Sequence, residues 1–197
     1  MAATEILLLR HAEKPKGADG QHGFTPEGLE DGKSLSIRGW QRAGALAALL
    51  APNPLLGPRL SRPDRIYASA FRRGGGHSRR PEQTVLPLAQ RLGLSVDLTW
   101  ALHQERAFGA ALAAEAGVAL VCWQHQGLPD LARAIAAPQP LPGLTEGWSW
   151  PEERYDVIWS LRRDGPEEAW RFTQYCQGLL PGDPDQPFVL PDRAGSE

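Results

Sequence analysis

Glu5-Ile6-Leu7-Leu8-Leu9 is a short, almost wholly apolar run, the pattern of an interior strand in a parallel sheet covered on both faces. Val118 to Trp123 repeats it, Arg65-Ile66-Tyr67-Ala68 predicts a third strand ending at Ser69, and Leu94-Ser95-Val96 a short fourth. Elsewhere the apolar spacing changes to three and four residues. Ser36 to Leu50 predicts a helix whose buried stripe is Ile37, Trp40, Ala43, Ala47 and Leu50. Pro81 to Leu92 predicts another, with proline in its first turn and Val85, Leu88 and Leu92 facing inward. Ala107 to Ala116 is expected as a short helix ended by Gly117, and the segment from Leu128 to Ile135 as one opening on Pro129. Tyr155 to Leu161 and Ala169 to Tyr175 are expected to pair around Arg163-Asp164-Gly165, since Asp-Gly is a turn signal. Apolar strand runs alternating with helical segments predict an α/β fold.

A chain of 197 residues suffices for one buried core, so a single domain over 1–197 is expected, with 70–79 as a flexible insertion around Gly74-Gly75-Gly76. The net charge of -2, from 21 basic and 23 acidic residues, signals neither a nucleic-acid nor a membrane surface. Any anion site must therefore be local. Cys122 and Cys176 form no zinc or CxxC pattern, and Cys122 lies in an apolar run as a small hydrophobe would. No signal-peptide pattern and no membrane-length apolar run occurs, which makes cytoplasm the default compartment. The five histidines include no His-Glu-x-x-His helix, so no metal is expected, and structural or surface duty is the expectation for His22. Trp148, Trp150, Trp159 and Trp170 lack an interleaved basic stripe and are expected as core or as a substrate-facing wall.

Two of the strands each deliver a histidine at the carboxyl end: Arg10-His11 after the first, and Gln124-His125 after the Val118 to Trp123 run. In open α/β sheets that rim is where ligands bind. A neutral imidazole can attack phosphorus once the phosphoryl group is held in line and its oxygens are offset, and the planar fork of arginine suits that task. Arg10 supplies one clamp. Arg80, next to the start of the helix that Pro81 opens, supplies a second where free backbone N–H groups favour an anion.

Leu8-Leu9-Arg10-His11-Ala12-Glu13 resembles the Arg-His-Gly signature of the histidine phosphatase superfamily, the phosphoglycerate mutase-like group. Leu35 to Ala43 is similar to that family's Leu-Thr/Ser-x-x-Gly-x-x-Gln/Arg-Ala segment. Ile66 to Ser69 followed by Arg80-Pro81-Glu82-Gln83-Thr84 resembles its strand-Ser and Arg-Ala-x-Gln-Thr element, and Trp123-Gln124-His125 its second-histidine strand. The four elements lie in register from Glu5 to about Ile135. The resemblance implies a three-layer domain with a mostly parallel central sheet, and roles by position. His11 would be the phosphorylated nucleophile, Arg10 and Arg80 would bind phosphoryl oxygens, and His125 would complete the pocket. Glu105, in the loop between the second arginine and the second histidine, would be the proton donor, since Gln126 stands where another branch places an aspartate. No metal or organic cofactor is implied, and the ligand would be a phosphorylated small molecule or phosphoprotein.

Three departures bear on this. Ala12 stands in place of the family's glycine, which a negative φ tolerates. The segment between Ser69 and Arg80 is longer than the family's and leaves Arg79 as an alternative clamp, with the Gln83-Thr84 match favouring Arg80. Glu13 and His103 are candidates to border the pocket. Competing functions are a phosphoglycerate mutase, which the short stretch between Glu105 and His125 disfavours because little is left to exclude water, and a non-catalytic phospholigand-binding module.

Overall fold

The computed structural model describes residues 3–16, 22–51, 60–71 and 78–190, so the Gly74-Gly75-Gly76 insertion and His77 lie outside the described residues. In chain order the elements are β1 (Thr4–Arg10), β2 (Gly23–Phe24), β3 (Leu35–Ser36), α1 (Ile37–Leu50), β4 (Arg65–Ala68) and α2 (Arg80–Leu92). They continue with β5 (Val96–Asp97), α3 (Glu105–Ala114), β6 (Gly117–Trp123), α4 (Leu128–Ala136), β7 (Val157–Arg163) and β8 (Arg171–Cys176).

Among the described residues the central sheet has six strands in the order β5-β4-β6-β1-β7-β8. β1, β6, β4 and β5 run parallel, whereas β7 and β8 extend the sheet antiparallel. Apolar runs without polar alternation are what a sheet covered on both faces requires; β1 supplies one from Ile6 to Leu9 and is buried over its whole length. Its side chains divide between two cores. Ile6 and Leu8 pack with Phe108 and Leu112 of α3 and with Leu131 and Ile135 of α4. Leu7 and Leu9 pack on the other face with Leu46 and Leu50 of α1 and with Val85 and Leu88 of α2. The result is the three-layer α/β sandwich with a mostly parallel sheet that the sequence predicts. No helix among the described residues is long and apolar enough to cross a membrane.

Several element boundaries differ from expectation. In α1 the buried side comprises Gly39, Arg42, Ala43, Leu46, Ala47 and Leu50, while Ile37 is 64% exposed. The helix is turned to bring Arg42 inward, where buried carboxylates meet it. The helix expected at Ala107 to Ala116 is α3, which begins two residues earlier and stops at Ala114. It ends there because the Glu115 carbonyl accepts from Thr4 Oγ1 at 2.9 Å, and the Glu115 carboxylate receives the Tyr67 hydroxyl. Gly117, at φ +95, is therefore the first residue of β6 rather than a helix cap. The expected strand at Leu94 to Val96 shifts to Val96–Asp97, set by pairing with Ile66 and Tyr67. The β7–β8 connection is longer than an Asp-Gly hairpin, because the pairing ends at Arg162 with Arg171. Trp150, Trp159 and Trp170 are core, and Trp148 packs partly buried against it: Trp150 lies 4.7 Å from Trp159 and 4.7 Å from Phe188, ring centre to ring centre.

α3 and α4 cross at Gly109, where an added Cβ would stand 2.5 Å from Ala134 Cβ and 2.9 Å from Ala134 C. Gly109→Ala is expected to lower unfolding free energy by about 1–3 kcal/mol through overpacking, read as a lower urea midpoint at unchanged slope.

Candidate active site

Leu9 pairs with Cys122 and Arg10 with Trp123 in the parallel β1–β6 ladder, and Ala68 of β4 pairs with the same Cys122. The His11 N–H donates to the Trp123 carbonyl at 3.0 Å, and the Ser69 N–H to the Cys122 carbonyl at 3.1 Å. Three strands therefore end level, which places His11, Ser69 and the Gln124-His125 pair on one rim.

His11 is buried. Its Nδ1 lies 2.7 Å from the Ala12 carbonyl oxygen, which can only accept, so the bond requires a proton on Nδ1 and leaves a lone pair on Nε2. Burial first, and then the Arg10 charge, lower its pKa to about 3, with Arg80 and His125 acting in the same sense. The structure thus brings Arg10, Arg80 and His125 to bear on one neutral imidazole. His125 is lowered to about 4 by burial, with Arg10 and Lys14 adding to the effect and Glu152 opposing it. Its Nδ1 is buried and has no hydrogen-bond partner among the described residues.

Both histidines fold neutral and, once unfolded, titrate near 6.5. The unfolded chain binds more protons between those values, so stability is expected to fall as pH drops from about 6.5 toward the folded values and to be flat in this respect above about pH 7. Urea midpoints taken near pH 7 and near pH 4.5 should differ less in the His11→Asn, His125→Asn double variant than in wild type.

Local structure explains why the His11 loop is held. Ser36, the N-cap of α1, accepts from the Gly39 N–H through its hydroxyl, which also lies 3.2 Å from the Glu13 carbonyl. An added Cβ on Gly39 would stand 2.6 Å from that same Glu13 oxygen, so only glycine lets the helix approach the loop this closely. The Glu13 carboxylate, a candidate for the pocket border, instead accepts from Arg42, which also donates to Asp183 at 2.7 and 2.9 Å. Burial opposes the Arg42 charge, but Asp183 and Glu13 outweigh it and raise its pKa. On the opposite side the Ala12 N–H donates to Thr84 Oγ1 at 2.8 Å, joining the loop to the first turns of α2. Ala12 is fully buried beside Leu35 and Ala43 and is not among the positive-φ residues, so the methyl in place of a glycine is accommodated.

Of the two adjacent arginines, Arg80 acts on His11, whereas Arg79 stacks 4.9 Å from the Phe71 ring and lies 3.8 Å from Asp31. Arg80 also donates to the carbonyls of Ser34 at 3.1 Å and Gly32 at 2.8 Å. Arg10 is fully buried; its guanidinium lies 4.0 Å above the Tyr155 ring and its Nη1 donates to the Glu152 carbonyl.

Glu105 is the first residue of α3 rather than a loop residue, and it is buried. Its Oε1 accepts from Trp123 Nε1 at 2.9 Å and from the His103 N–H at 3.1 Å. His103 has φ 73, a left-handed backbone that a non-glycine residue seldom adopts, and it is this turn that aims its N–H at the carboxylate. Oε1 and Trp123 Nε1 would stand 2.3 and 2.7 Å from a Cβ on Gly127. Glu105 is thus tied to the strand that carries His125. Cys122 is buried, which pushes its thiol pKa up, and His22 is an exposed residue 3.4 Å from Glu30.

Sequence reasoning missed Tyr155, Glu152 and Lys14 at the site. Thr84 and Arg42 lie inside the motif segments and were within reach. Tyr155 and Glu152 lie beyond the resemblance and carry no local signal.

No protein-family model and no curated protein matches the sequence. Solved structures do match. The mycobacterial glucosyl-3-phosphoglycerate phosphatase is 19% identical, with TM-score 0.52 over 86% of this chain and 97% of that one. The protein histidine phosphatase SixA, complexed with tungstate, is 18% identical, with TM-score 0.52 over 88% and 97%. The ecdysone phosphate phosphatase of Bombix mori, also with tungstate, is 14% identical, with TM-score 0.55 over 98% and 97%. The chain has the phosphoglycerate mutase-like α/β fold of these neighbours, the fold that the sequence motifs imply.

Proposed function

We propose that this chain hydrolyses phosphomonoesters through a phosphohistidine formed on His11. The observation that carries this reading is a buried imidazole, neutral and with its free lone pair on Nε2, under the charges of Arg10 and Arg80 at the carboxyl rim of a parallel sheet. In the first half-reaction the Nε2 lone pair forms a bond to phosphorus while the ester P–O bond breaks, and Glu105 gives its proton to the departing alkoxide. In the second, water bonds to phosphorus, its proton passes to Glu105, and the P–N electron pair returns to Nε2. Arg10 and Arg80 offset charge on the phosphoryl oxygens, and His125 supplies a ring N–H to the same group. The two arginines and two imidazoles provide the electrostatic stabilisation without a metal ion or organic cofactor. The substrate is a phosphorylated small molecule or a phosphoprotein.

The test is an alkaline quench during turnover of a labelled phosphomonoester. Wild type should retain label that is stable to alkali and released by acid, and His11→Asn should retain none. Turnover by wild type with no such label would exclude the phosphohistidine.

A further inference from the structure

We propose that Glu152 stands in for the substrate, and that the position of its carboxylate against Lys14 is a second anion subsite beside the phosphoryl site. The substrate class selected is a phosphomonoester with a further negative group, a carboxylate or another phosphate, a few bonds away. This rests on the reading of Arg10 and His11 given above.

Glu152 is gripped at both ends. Its carbonyl accepts from Arg10 Nη1, and its carboxylate is paired with Lys14 Nζ. Lys14 follows His11 on the same segment, so one residue reaches from the phosphoryl clamp to a cation at the mouth. The remaining bonds of Arg10 are long: 3.4 Å to the Pro151 carbonyl, 3.3 Å to the Arg154 carbonyl and 3.4 Å to the Tyr155 hydroxyl. Its Nε has no partner among the described residues. A buried guanidinium held chiefly by one neutral carbonyl gains from exchange for an anionic oxygen, because charge-assisted bonds are the stronger. The Lys14–Glu152 pair is likewise replaceable, with side chains 34% and 60% exposed, a setting in which ion pairs contribute little. The charges of Lys14 and Glu152 both reach His125, with opposite sign.

The exchange requires only local movement. Trp150 is buried and its Nε1 donates to the Arg154 carbonyl at 2.8 Å, while Arg154 forms a two-bond pair with Asp156 at 2.7 and 2.9 Å. Both ends of the segment are anchored, and its exposed middle, Pro151 to Glu153, is what a substrate displaces. Lys16, 3.3 Å from Glu153, makes a second pair farther along the same two segments and serves as a control.

Ethyl phosphate and phosphoglycolate share a skeleton and differ by the carboxylate. Calorimetric affinities for both are measured in a His11→Asn background, which does not turn them over, with the second position left wild type or changed by Lys14→Met, Glu152→Gln or Lys16→Met, each protein matching the unsubstituted chain in circular dichroism. The His11→Asn protein should prefer phosphoglycolate by about fivefold, a ratio that Lys14→Met brings near one and Lys16→Met leaves in place; Glu152→Gln should tighten phosphoglycolate several-fold. A ratio unchanged in Lys14→Met, an equal loss in Lys16→Met, no tightening in Glu152→Gln, or no binding of either ligand to the His11→Asn protein would each overturn the subsite. Because these are binding measurements, the subsite can hold even where the quench experiment finds no phosphohistidine, and can fail where that experiment succeeds.

Discussion

His11→Asn and His11→Ala are expected to lower kcat for p-nitrophenyl phosphate by at least about 10³-fold while leaving the fold intact. His11 is the only side chain in the proposed cycle that forms a bond to phosphorus, so no neighbour can replace it. The asparagine amide can still donate to the Ala12 carbonyl that Nδ1 contacts at 2.7 Å, which keeps the loop's hydrogen bond. Arg10, Arg80 and His125 remain, so phosphate affinity should change far less than kcat. Steady-state kinetics, circular dichroism and phosphate titration on the same preparations check this. Activity within about tenfold of wild type would remove His11 from the role.

The second large effect is expected from Glu105→Gln, and it should depend on the leaving group. A general acid matters most when the departing alkoxide is basic, so kcat/KM should fall by about 10²–10⁴-fold for an alkyl phosphate and much less for p-nitrophenyl phosphate, whose leaving group departs without a proton. The glutamine oxygen can still accept from Trp123 Nε1 and the His103 N–H, the two bonds that hold Oε1 at 2.9 and 3.1 Å. The change therefore removes the proton and keeps the position. Equal losses on both substrates would mean that the residue positions the strand end rather than donating a proton. Gly127→Ala offers a structural counterpart, since its Cβ would collide with the carboxylate and should depress alkyl phosphate turnover while the proton donor is still present.

How much of this was legible in the sequence depended on whether the information was local. The apolar runs of β1 and β6 specified buried parallel strands because each satisfies both faces of a sheet within a few residues. Gln83 and Thr84 sit on the helix that begins at Arg80, whose charge lowers the His11 pKa, while Arg79 lies against the Phe71 ring and Asp31. Where a boundary moved, a distant partner had moved it. Glu115 ends α3 because Thr4 takes its carbonyl, and Ile37 faces outward because Glu13 and Asp183 draw Arg42 inward.

By itself, then, the amino-acid order determined the α/β class, the two strand ends that bear histidines and the arginine beside each helix or strand terminus, since periodicity and spacing act along the chain. Tertiary structure alone decided the tautomer of His11, the depth of its pKa shift, the tether of Glu105 to Trp123 and the grip of Glu152 on Arg10 and Lys14. Those depend on burial and on how the folded chain sets its groups together, from the Ala12 carbonyl beside His11 to Glu152, 142 residues from Arg10, and no local pattern encodes them.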